Sequence, residues 1–575
     1  MAGDATGAGR PQHRGLRGGH DGGPLRAASC AGRLARPVGA AVVGGPRGHG
    51  SAGADRAGPR GAAVSGRTRH GRCRASVAGI ARARGGGHGA GGRGGDARPR
   101  PGLFRGRAPG PVLCGLARPA SLPRGPRLRR RAGGRADGGG RMILPDEAWI
   151  ADRRLSAARD MRAAVSATQL VRDRPGFGWR LSPAPGSILA SPRMAAWDPE
   201  PDYFHHWIRD AAIVLGAVPQ AMRADPEASD FWRQAVCDHI RFSLGISDPD
   251  RRGPAENPLT STTAPDHLQF LRPNAELAAL TGSGWLEEPR VAADGSPDLE
   301  RWSRPQDDGP ALRASVLMRL SEIMPEAASP DARSLVDRDL AHVAGVAGRA
   351  SIGPWEEAPP RRCSFTLIAQ WDALDRAARR ARAEGRDTGP WQAAASTVAR
   401  LMNGMRDAGS GAWRESTEAP EGVLDSATVL AVVHARRVSG PFAMTADATR
   451  ATVAGLERIF TALYPLNSGR PVPAIGRWED DAYFGGNPWV PNTLGFAELH
   501  YRIAALTGNR AAFQRAELWL RIIQDIAPDP DIPLPEQFDR TTGAPTSCLA
   551  LTWSAAAFLE ATGARAKACQ TLGVR

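Results

Sequence analysis

Apolar side chains recur every three or four positions along most of the chain after residue 142, and this period predicts helices. The stretch 364–382 is typical, because it carries Phe365, Ile368, Ala369, Leu374 and Ala377 at helical spacing. Similar patterns cover 311–323, 397–405, 426–437, 446–463, 493–506, 511–526 and 549–561. Strict alternation of apolar and polar residues is nearly absent. The pattern therefore predicts an all-α protein.

Loops rich in proline, glycine and aspartate separate the predicted helices. About a dozen helices in one large domain, with no fixed repeat period, favour helices packed around a common core over a stacked solenoid. The pattern by itself indicates only a large all-α domain, which we place at residues 142–575.

Residues 1–141 differ sharply in composition from the rest. They contain 28 Arg, five Asp and no Glu, Lys, Trp or Tyr, and carry about +23 of charge in a chain whose net charge is +16. The remaining residues are mildly acidic. We predict that 1–141 is a disordered low-complexity segment, because it has too little apolar surface to form a core. A start of translation placed too far upstream of Met142, a genuine extension and an RNA-binding tail are the open interpretations.

The sequence shows no signal peptide, and no apolar run approaches the about 18 residues that span a bilayer. Its seven cysteines are scattered, and none forms a Cys-x-x-Cys pair. This usage predicts a reducing, cytoplasmic location without a disulfide framework or zinc. The adjacent His205 and His206 look like metal ligands, but on a predicted helix their side chains diverge and no further ligands accompany them. We therefore expect no metal and no cofactor.

Four clusters of polar and aromatic residues carry the candidate chemistry, at 202–210, 302–310, 355–357 and 536–539. Aromatic rings cover the C–H faces of sugars, and charged side chains bind their hydroxyls. Glycoside hydrolysis needs a proton donor and a second carboxylate, and Glu356 and Glu536 are our candidates. Trp355 can exclude water beside Glu356, and Glu357 adds a like charge. Both effects favour the protonated form that a general acid requires.

Read in order, these clusters resemble motifs of glycoside hydrolase family 15, the glucoamylase family, in its bacterial form. The motifs are Pro-Asp-Tyr-Phe-x-x-Trp-x-Arg-Asp at 201–210, Trp-x-Arg-Pro-Gln-Asp-Asp-Gly-Pro at 302–310, Trp-Glu-Glu at 355–357, Gly-Arg-Trp-Glu-Asp-Asp at 476–481 with Gly-Asn-Pro-Trp at 486–489, Glu-Gln-Phe-Asp at 536–539 and Leu-Thr-Trp-Ser at 551–554.

The resemblance implies an (α/α)6 barrel whose loops at one end build the site. It implies that Glu356 is the general acid, that Glu536 is the base that activates water, and that Ser547 hydrogen-bonds that base. The resemblance also implies a set of substrate-binding residues: Tyr203, Trp207, Arg209, Asp210, Trp302, Arg304, Trp355, Glu357, Arg477 and Asp481.

The implied activity is that of an inverting exo-acting α-glucosidase, resembling a glucan 1,4-alpha-glucosidase, with an oligosaccharide or glucan as substrate. Gly353 replaces an aspartate usual in the family, and the residues after Glu357 are Ala-Pro-Pro-Arg-Arg, so the linkage stays open. Dextran- or trehalose-cleaving enzymes, an inverting sugar phosphorylase and a non-catalytic glycan-binding protein are the alternatives. We expect neither nucleic acid nor membrane as a partner, and the sequence leaves the oligomeric state open.

Overall fold

The computed structural model describes residues 144–194 and 200–574, which belong to one compact unit. The low-complexity segment 1–141 and the start at Met142 lie outside the described residues, so both stay predictions.

Helices dominate the part of the chain that the structure describes. The α-helices are α1 (Glu147–Ala164), α2 (Ile208–Ala224), α3 (Ser229–Ile246), α4 (Asn274–Ala278), α5 (Gly309–Leu320), α6 (Pro330–Gly345), α7 (Ser364–Ala383), α8 (Gly389–Asn403), α9 (Ala427–Ala435), α10 (Asp447–Leu463), α11 (Val490–Thr507), α12 (Arg510–Ile526) and α13 (Thr552–Leu572). Three short antiparallel pairs decorate the loops: β1 (Arg172–Arg174) with β2 (Trp179–Leu181), β3 (His205–Trp207) with β4 (Arg290–Ala292), and β5 (Gln537–Phe538) with β6 (Pro545–Thr546).

Six helices close into an inner ring. Helix α2 packs on α5, α5 on α7, α7 on α9, α9 on α11, α11 on α13, and α13 returns to α2. A second layer surrounds this ring, in which α1 packs on α13 and α2, α3 on α2, α6 on α5, α8 on α7, α10 on α9 and α12 on α11. Paired helices in two concentric rings form an (α/α)6 barrel, so the fold prediction is confirmed.

The inner and outer helices differ in how much of their surface is buried, as their sequences predict. Every residue of the inner helix α9 except His434 is buried, because the helix is apolar on all sides. The outer helix α12 buries one stripe that includes Phe513, Ala516, Leu520 and Ile523, at spacings of three and four residues. The predicted helices at 426–437 and 511–526 correspond to α9 and α12, whereas α2, α3 and α6 were not predicted.

The sequence-based prediction was wrong about His205 and His206, which lie on strand β3 and not on a helix. Successive strand residues point to opposite faces. The Nδ1 atom of His206 accepts the N–H of Ile188 at 2.9 Å, while the His205 ring packs between Trp179 and Trp207. Both rings are buried, and this burial holds their pKa values well below the usual range. The described residues contain no group of three or more His, Cys, Asp or Glu that could hold a metal.

No helix within residues 144–194 and 200–574 is both long enough and apolar enough to cross a membrane.

Two glycines near α3 should respond in opposite ways to replacement by alanine. Gly186 has φ of +85°, and a Cβ there would lie 2.1 Å from the backbone oxygen of Asp238 in α3. We expect Gly186→Ala to lower the free energy of unfolding by about 2 kcal/mol or more, because backbone must move. A Cβ added to Gly245, which lies within α3, would have no described atom within 4 Å, so Gly245→Ala should stabilise by about 0.5–1 kcal/mol. Urea unfolding of both variants checks this, and a stable Gly186→Ala protein would contradict the close packing.

Candidate active site

The N-terminal ends of the inner helices carry residues of the family motifs, among them the predicted site residues Arg209 and Asp210, to one end of the barrel. Arg209 and Asp210 lie in the first turn of α2, and Asp308 precedes α5. Trp489 precedes α11, and Trp553 lies in the first turn of α13. Because these helices enter the ring from the same end, residues far apart in sequence meet there.

Glu356 lies on the loop between α6 and α7 and is held by three donors. Trp207 donates its indole N–H to Oε1 at 2.7 Å, and Arg209 donates Nη1–H to the same oxygen at 3.2 Å. Trp302 donates its indole N–H to Oε2. The backbone of Glu356 has φ of +61°, a left-handed conformation that non-glycine residues seldom adopt. Strain of this kind is concentrated at functional sites, where the surrounding contacts enforce it.

Arg209 pairs with Glu356 and with Asp210, and a third acid, the buried Asp308, lies near enough to be affected by its charge. The Nη2 atom of Arg209 lies 2.9 Å from Oδ2 of Asp210, and only 6% of Arg209 is exposed. Burial raises the pKa of Asp210, although Arg209 opposes the shift. Burial likewise raises the pKa of Asp308 to about 7. The charge of Arg209 is therefore what allows several carboxyls to share this end of the barrel.

Glu536 lies just before β5 and is buried, with 2% of its surface exposed. Tyr203 donates its hydroxyl to Oε1 at 3.1 Å, and Ser547 donates to Oε2. Burial raises the pKa of Glu536 to about 7, against the hydrogen bonds from Ser547 and Tyr203, which favour the charged form. The contact with Ser547 is the one that the resemblance implied.

Tyr203 and Trp207 connect the two candidate catalytic carboxyls. Their ring centroids lie 5.4 Å apart in an edge-to-face arrangement. Tyr203 contacts Glu536, and Trp207 contacts Glu356, so each ring holds one carboxyl. The two glutamates, which are 180 positions apart in sequence, therefore belong to one site.

Arg477 holds together a second wall of the site, which also contains Asp481, Glu357 and Trp355. It makes a two-pronged ion pair with Asp481, with Nε 2.8 Å from Oδ2, and its Nη1 atom lies 3.4 Å from Oε1 of Glu357. The guanidinium lies 5.6 Å from the ring centroid of Trp355 and 5.1 Å from that of Tyr483. The predicted residues Arg477, Asp481, Glu357 and Trp355 are thus brought together.

The contacts of Trp355 differ from the expectation that it shields Glu356. Its indole N–H is donated to both carboxylate oxygens of Asp425, at 2.8 and 3.0 Å, and its ring stacks on Trp553 with centroids 6.5 Å apart. The indoles that contact the Glu356 carboxylate are those of Trp207 and Trp302. Trp355 is the neighbour of Glu356 along the chain, but the fold supplies the aromatic contacts from other segments.

Two residues of this site, Asp425 and Tyr483, were missed in the sequence. The Tyr483 hydroxyl shares a 2.7 Å hydrogen bond with that of Tyr203, and Asp425 is buried before α9. Burial raises the pKa of Asp425 to about 7 and keeps the pKa of Tyr483 well above its usual range. Tyr483 lies between two motifs that were quoted, so position alone could have drawn attention to it. Asp425 resembles an ordinary residue at a helix start.

Arg304 was predicted to line the sugar site, and its hydrogen bonds place it behind Trp302. Its Nε atom lies 2.9 Å from Oε1 of Glu288, Nη2 lies 3.1 Å from Oδ2 of Asp298, and Nη1 donates to the Trp302 carbonyl at 2.8 Å. Arg290 stacks on the Trp302 ring at 3.8 Å from the centroid. Arg304 therefore supports the wall that Trp302 forms, and direct contact with substrate stays a prediction.

The raised pKa of Glu536 predicts how stability depends on pH. Below the ordinary carboxyl pKa of 4.5, Glu536 is protonated in the folded and unfolded chain alike. Between 4.5 and about 7 the unfolded chain loses this proton first, so the folded state loses stability as pH rises. We expect Glu536→Gln, which cannot ionise, to raise the free energy of unfolding by about 1–3 kcal/mol at pH 8 and to change it little at pH 4.

Urea unfolding at pH 4, 6 and 8 measures this difference. Glu479→Gln is the matched control, because Glu479 is exposed and its replacement removes the same charge. An equal effect of Glu536→Gln at pH 4 and pH 8 would contradict the raised pKa.

Comparison with known proteins agrees with this arrangement. A sequence model of glycosyl hydrolases family 15 matches residues 278–563. Glucoamylase-1 of Schizophyllum commune is 27% identical over 431 residues, covering 66% of this chain and 69% of the relative. Glucoamylase-1 of Arthroderma benhamiae is 28% identical over 426 residues, covering 65% of this chain and 64% of the relative. The chain thus spans about two thirds of the length of these relatives.

Solved structures share the fold. The family 15 glucoamylase of Hypocrea jecorina superposes with a TM-score of 0.58 at 22% identity, with 75% of each chain covered. A glucoamylase of Saccharomycopsis fibuligera superposes with a TM-score of 0.57 at 22% identity, covering 76% of this chain and 98% of that one. With the motifs in family order, the matching sequence model and the shared barrel, the chain belongs to glycosyl hydrolases family 15 and is a glycoside hydrolase.

Proposed function

We propose that the protein is an inverting exo-acting α-glucosidase of glucoamylase type, which releases β-glucose from the non-reducing ends of an oligosaccharide or glucan. The observation that carries the proposal is the pair of carboxyls Glu356 and Glu536, held on either side of the Tyr203–Trp207 pair at one end of the barrel. The relatives that bear the name glucoamylase support the same reaction.

In the proposed reaction, Glu536 as carboxylate accepts a proton from a water molecule while the water oxygen attacks the anomeric carbon. Glu356 donates its proton to the glycosidic oxygen as the bond from that oxygen to the anomeric carbon breaks. Attack opposite the leaving group inverts the configuration at the anomeric carbon. The Tyr203 hydroxyl, 3.1 Å from Glu536, orients the base and helps to position the water.

The buried charges near Arg209 support exo-action. Arg209 and Asp210 are 6% and 4% exposed, so they lie at a closed end of the site. A sugar terminus can exchange hydrogen bonds with this charged pair, and exo-action requires that the glucan chain does not continue past it. We assign Arg209 and Asp210 to the hydroxyls of the terminal glucose, and Arg477 with Asp481 to a hydroxyl on the opposite wall.

The leaving-group side departs from the family pattern. Gly353 has φ of +65°, and a Cβ there would lie 2.8 Å from Sγ of Cys363, so the missing aspartate could not be restored without repacking. Arg361 and Arg362, which replace the usual small residues, pair with Glu415 and Glu418. Dextran- and trehalose-cleaving specificities remain alternatives for this reason. A phosphorylase needs no carboxylate base, so the buried Glu536 favours hydrolysis.

We also propose a cytoplasmic location. The four cysteines that the structure describes, Cys237, Cys363, Cys548 and Cys569, are free thiols, which suits a reducing compartment. Fractionation of the producing cells tests this directly: activity in the culture medium would overturn it.

Asp425 acts on the site through Trp355. It accepts the indole N–H, and its Oδ1 atom also accepts the N–H of Ala427 at 2.7 Å. The next residue, Ser426, donates its hydroxyl to the Gly476 carbonyl, and its N–H is donated to the carbonyl of Arg477. The start of α9 therefore fixes both Trp355 and Arg477.

We expect Asp425→Ala to lower kcat/KM on maltose by about 10-fold or more, because small displacements of substrate-binding groups are costly. Asp425→Asn keeps an acceptor for the indole and should lose clearly less. Asp447→Ala, at an exposed helix start, is the control and should match the wild type. Equal activity of the alanine and asparagine variants would contradict the positioning role.

Proton NMR of the products from maltose, isomaltose and trehalose tests the proposed reaction, with β-glucose as the first product. Glu356→Gln and Glu536→Gln should each lower turnover by about 10²–10⁴. With glucosyl fluoride, whose leaving group needs little protonation, Glu356→Gln should recover much of its loss and Glu536→Gln should not.

Glu418→Gln is the control for these variants, because it removes a surface carboxyl near the same loop. Release of α-glucose, or near wild-type turnover in both variants with a requirement for phosphate, would overturn the hydrolase.

A further inference from the structure

A cavity that is partly open to solvent lies at the end of the barrel opposite Glu356 and Glu536, and its lining includes the exposed residues Arg223 and Ile323. It has a volume of about 180 Å³ and is bounded by the C-terminal halves of α2 and α5, the residue after α9, and α13. Its polar lining consists of Gln220, Arg223, Arg319, Arg436 and Glu560. Three guanidinium groups thus face one carboxyl, which leaves an excess of positive charge.

Glu560 cannot balance the three arginines, because it already has two partners. Its Oε2 atom lies 2.8 Å from Nη2 of Arg436 and 2.9 Å from Nη2 of Arg502. The structure gives Arg223 neither a hydrogen bond nor an ion pair with any described residue. The unbalanced charge therefore belongs to Arg223 and Arg319.

Arg319 is largely buried, with 16% of its side chain exposed. Its Nη1 atom donates to the His434 carbonyl at 3.1 Å, but its nearest carboxylate, Asp372, lies 3.9 Å away. Asp372 also pairs with Arg376 and Arg437. Burial and the neighbouring Arg436 lower the pKa of Arg319 to about 9. An anion in the cavity would offset both the cost of burying the Arg319 charge and its repulsion by Arg436.

Arg436 occupies a backbone position that glycine normally fills. It follows the last residue of α9 with φ of +54°, and its N–H is donated to the Val432 carbonyl. An L-residue is less favourable than glycine in this left-handed conformation. The arginine side chain at this position lines the cavity and contacts Glu560.

We propose that this rear cavity binds a phosphate group, as free inorganic phosphate or as the phosphate of a small sugar ester. Guanidinium groups bind phosphate oxygens through paired hydrogen bonds. A volume of about 180 Å³ corresponds to roughly six water molecules, which is enough for a phosphate group and part of its ester.

A purely structural role explains part of the cluster. Arginines stabilise the carbonyl ends of helices, and Arg319 does this at the His434 carbonyl. Arg223 lies in the last turn of α2, so its charge also suits the carbonyl end of that helix, but its guanidinium has no acceptor among the described residues. Only a phosphate site predicts that replacing Arg223 changes the response of the protein to phosphate. The two explanations therefore differ in what Arg223 is expected to do.

The test measures Tm of the full chain against increasing inorganic phosphate, with sodium chloride at matched ionic strength. An ion that binds the folded state raises Tm, and the wild type should gain about 1–3 °C at saturation. Arg223→Met and Arg319→Met should need about tenfold more phosphate for the same gain. Arg241→Met, on the exposed face of α3, is the control and should behave as the wild type.

Glucose 6-phosphate, tested in the same way, distinguishes the two sources: a gain at lower concentration than with inorganic phosphate indicates the sugar ester, and the reverse indicates the free ion. Phosphate also stabilises proteins without binding, but that effect is the same in all variants. Equal gains in wild type, Arg223→Met and Arg319→Met, or no gain over sodium chloride, would overturn the proposal. Arg223→Met keeps the test decisive if Arg319→Met does not fold, because Arg223 is exposed.

Discussion

The ion pair network of Arg209 is the interaction on which the candidate active site depends. Isolated carboxylates could not remain charged so far from water, because their desolvation would cost several kcal/mol each. Arg209 lies 2.9 Å from Asp210 and 3.2 Å from Glu356, and its guanidinium lies 5.8 Å from the Trp553 ring centroid. This one side chain on α2 thereby fixes the loop that carries Glu356 relative to the start of α13.

The second wall is also held together by a buried arginine and its ion pairs. Arg477 is fixed by Asp481 on one side and by aromatic rings on the other, and Ser426 and Asp425 fix the loops that carry it and Trp355. The two walls meet through the hydrogen bond between Tyr203 and Tyr483. The geometry around Glu536 is therefore set by contacts between segments that lie hundreds of residues apart.

Sequence reasoning succeeded where the physical signal is local. The period of α12 and the Asp-Gly-Pro start of α5 are readable without a structure, and the apolar run at 426–437 was found as α9. Helices α2, α3 and α6 were not predicted. Motifs in family order placed Glu356 and Glu536 in one site, but they could not show that Trp355 turns to Asp425, since that contact spans 70 positions. The histidines at 205 and 206 were placed on a helix because a three-residue strand is too short to show alternation.

Glu356 and Ser547 share a property that has a practical consequence for protein engineering. Both have positive φ, at +61° and +60°, and both lie in the candidate active site. Methods that improve stability by matching each residue to its local backbone would replace them with glycine or asparagine, at a gain of about 1 kcal/mol each. Such a redesign would remove the proposed acid and the hydrogen bond to the proposed base, together with the contact between Glu356 and the buried Arg209. Thermostabilisation of this barrel should therefore hold both positions fixed and look for gains on the outer ring of helices.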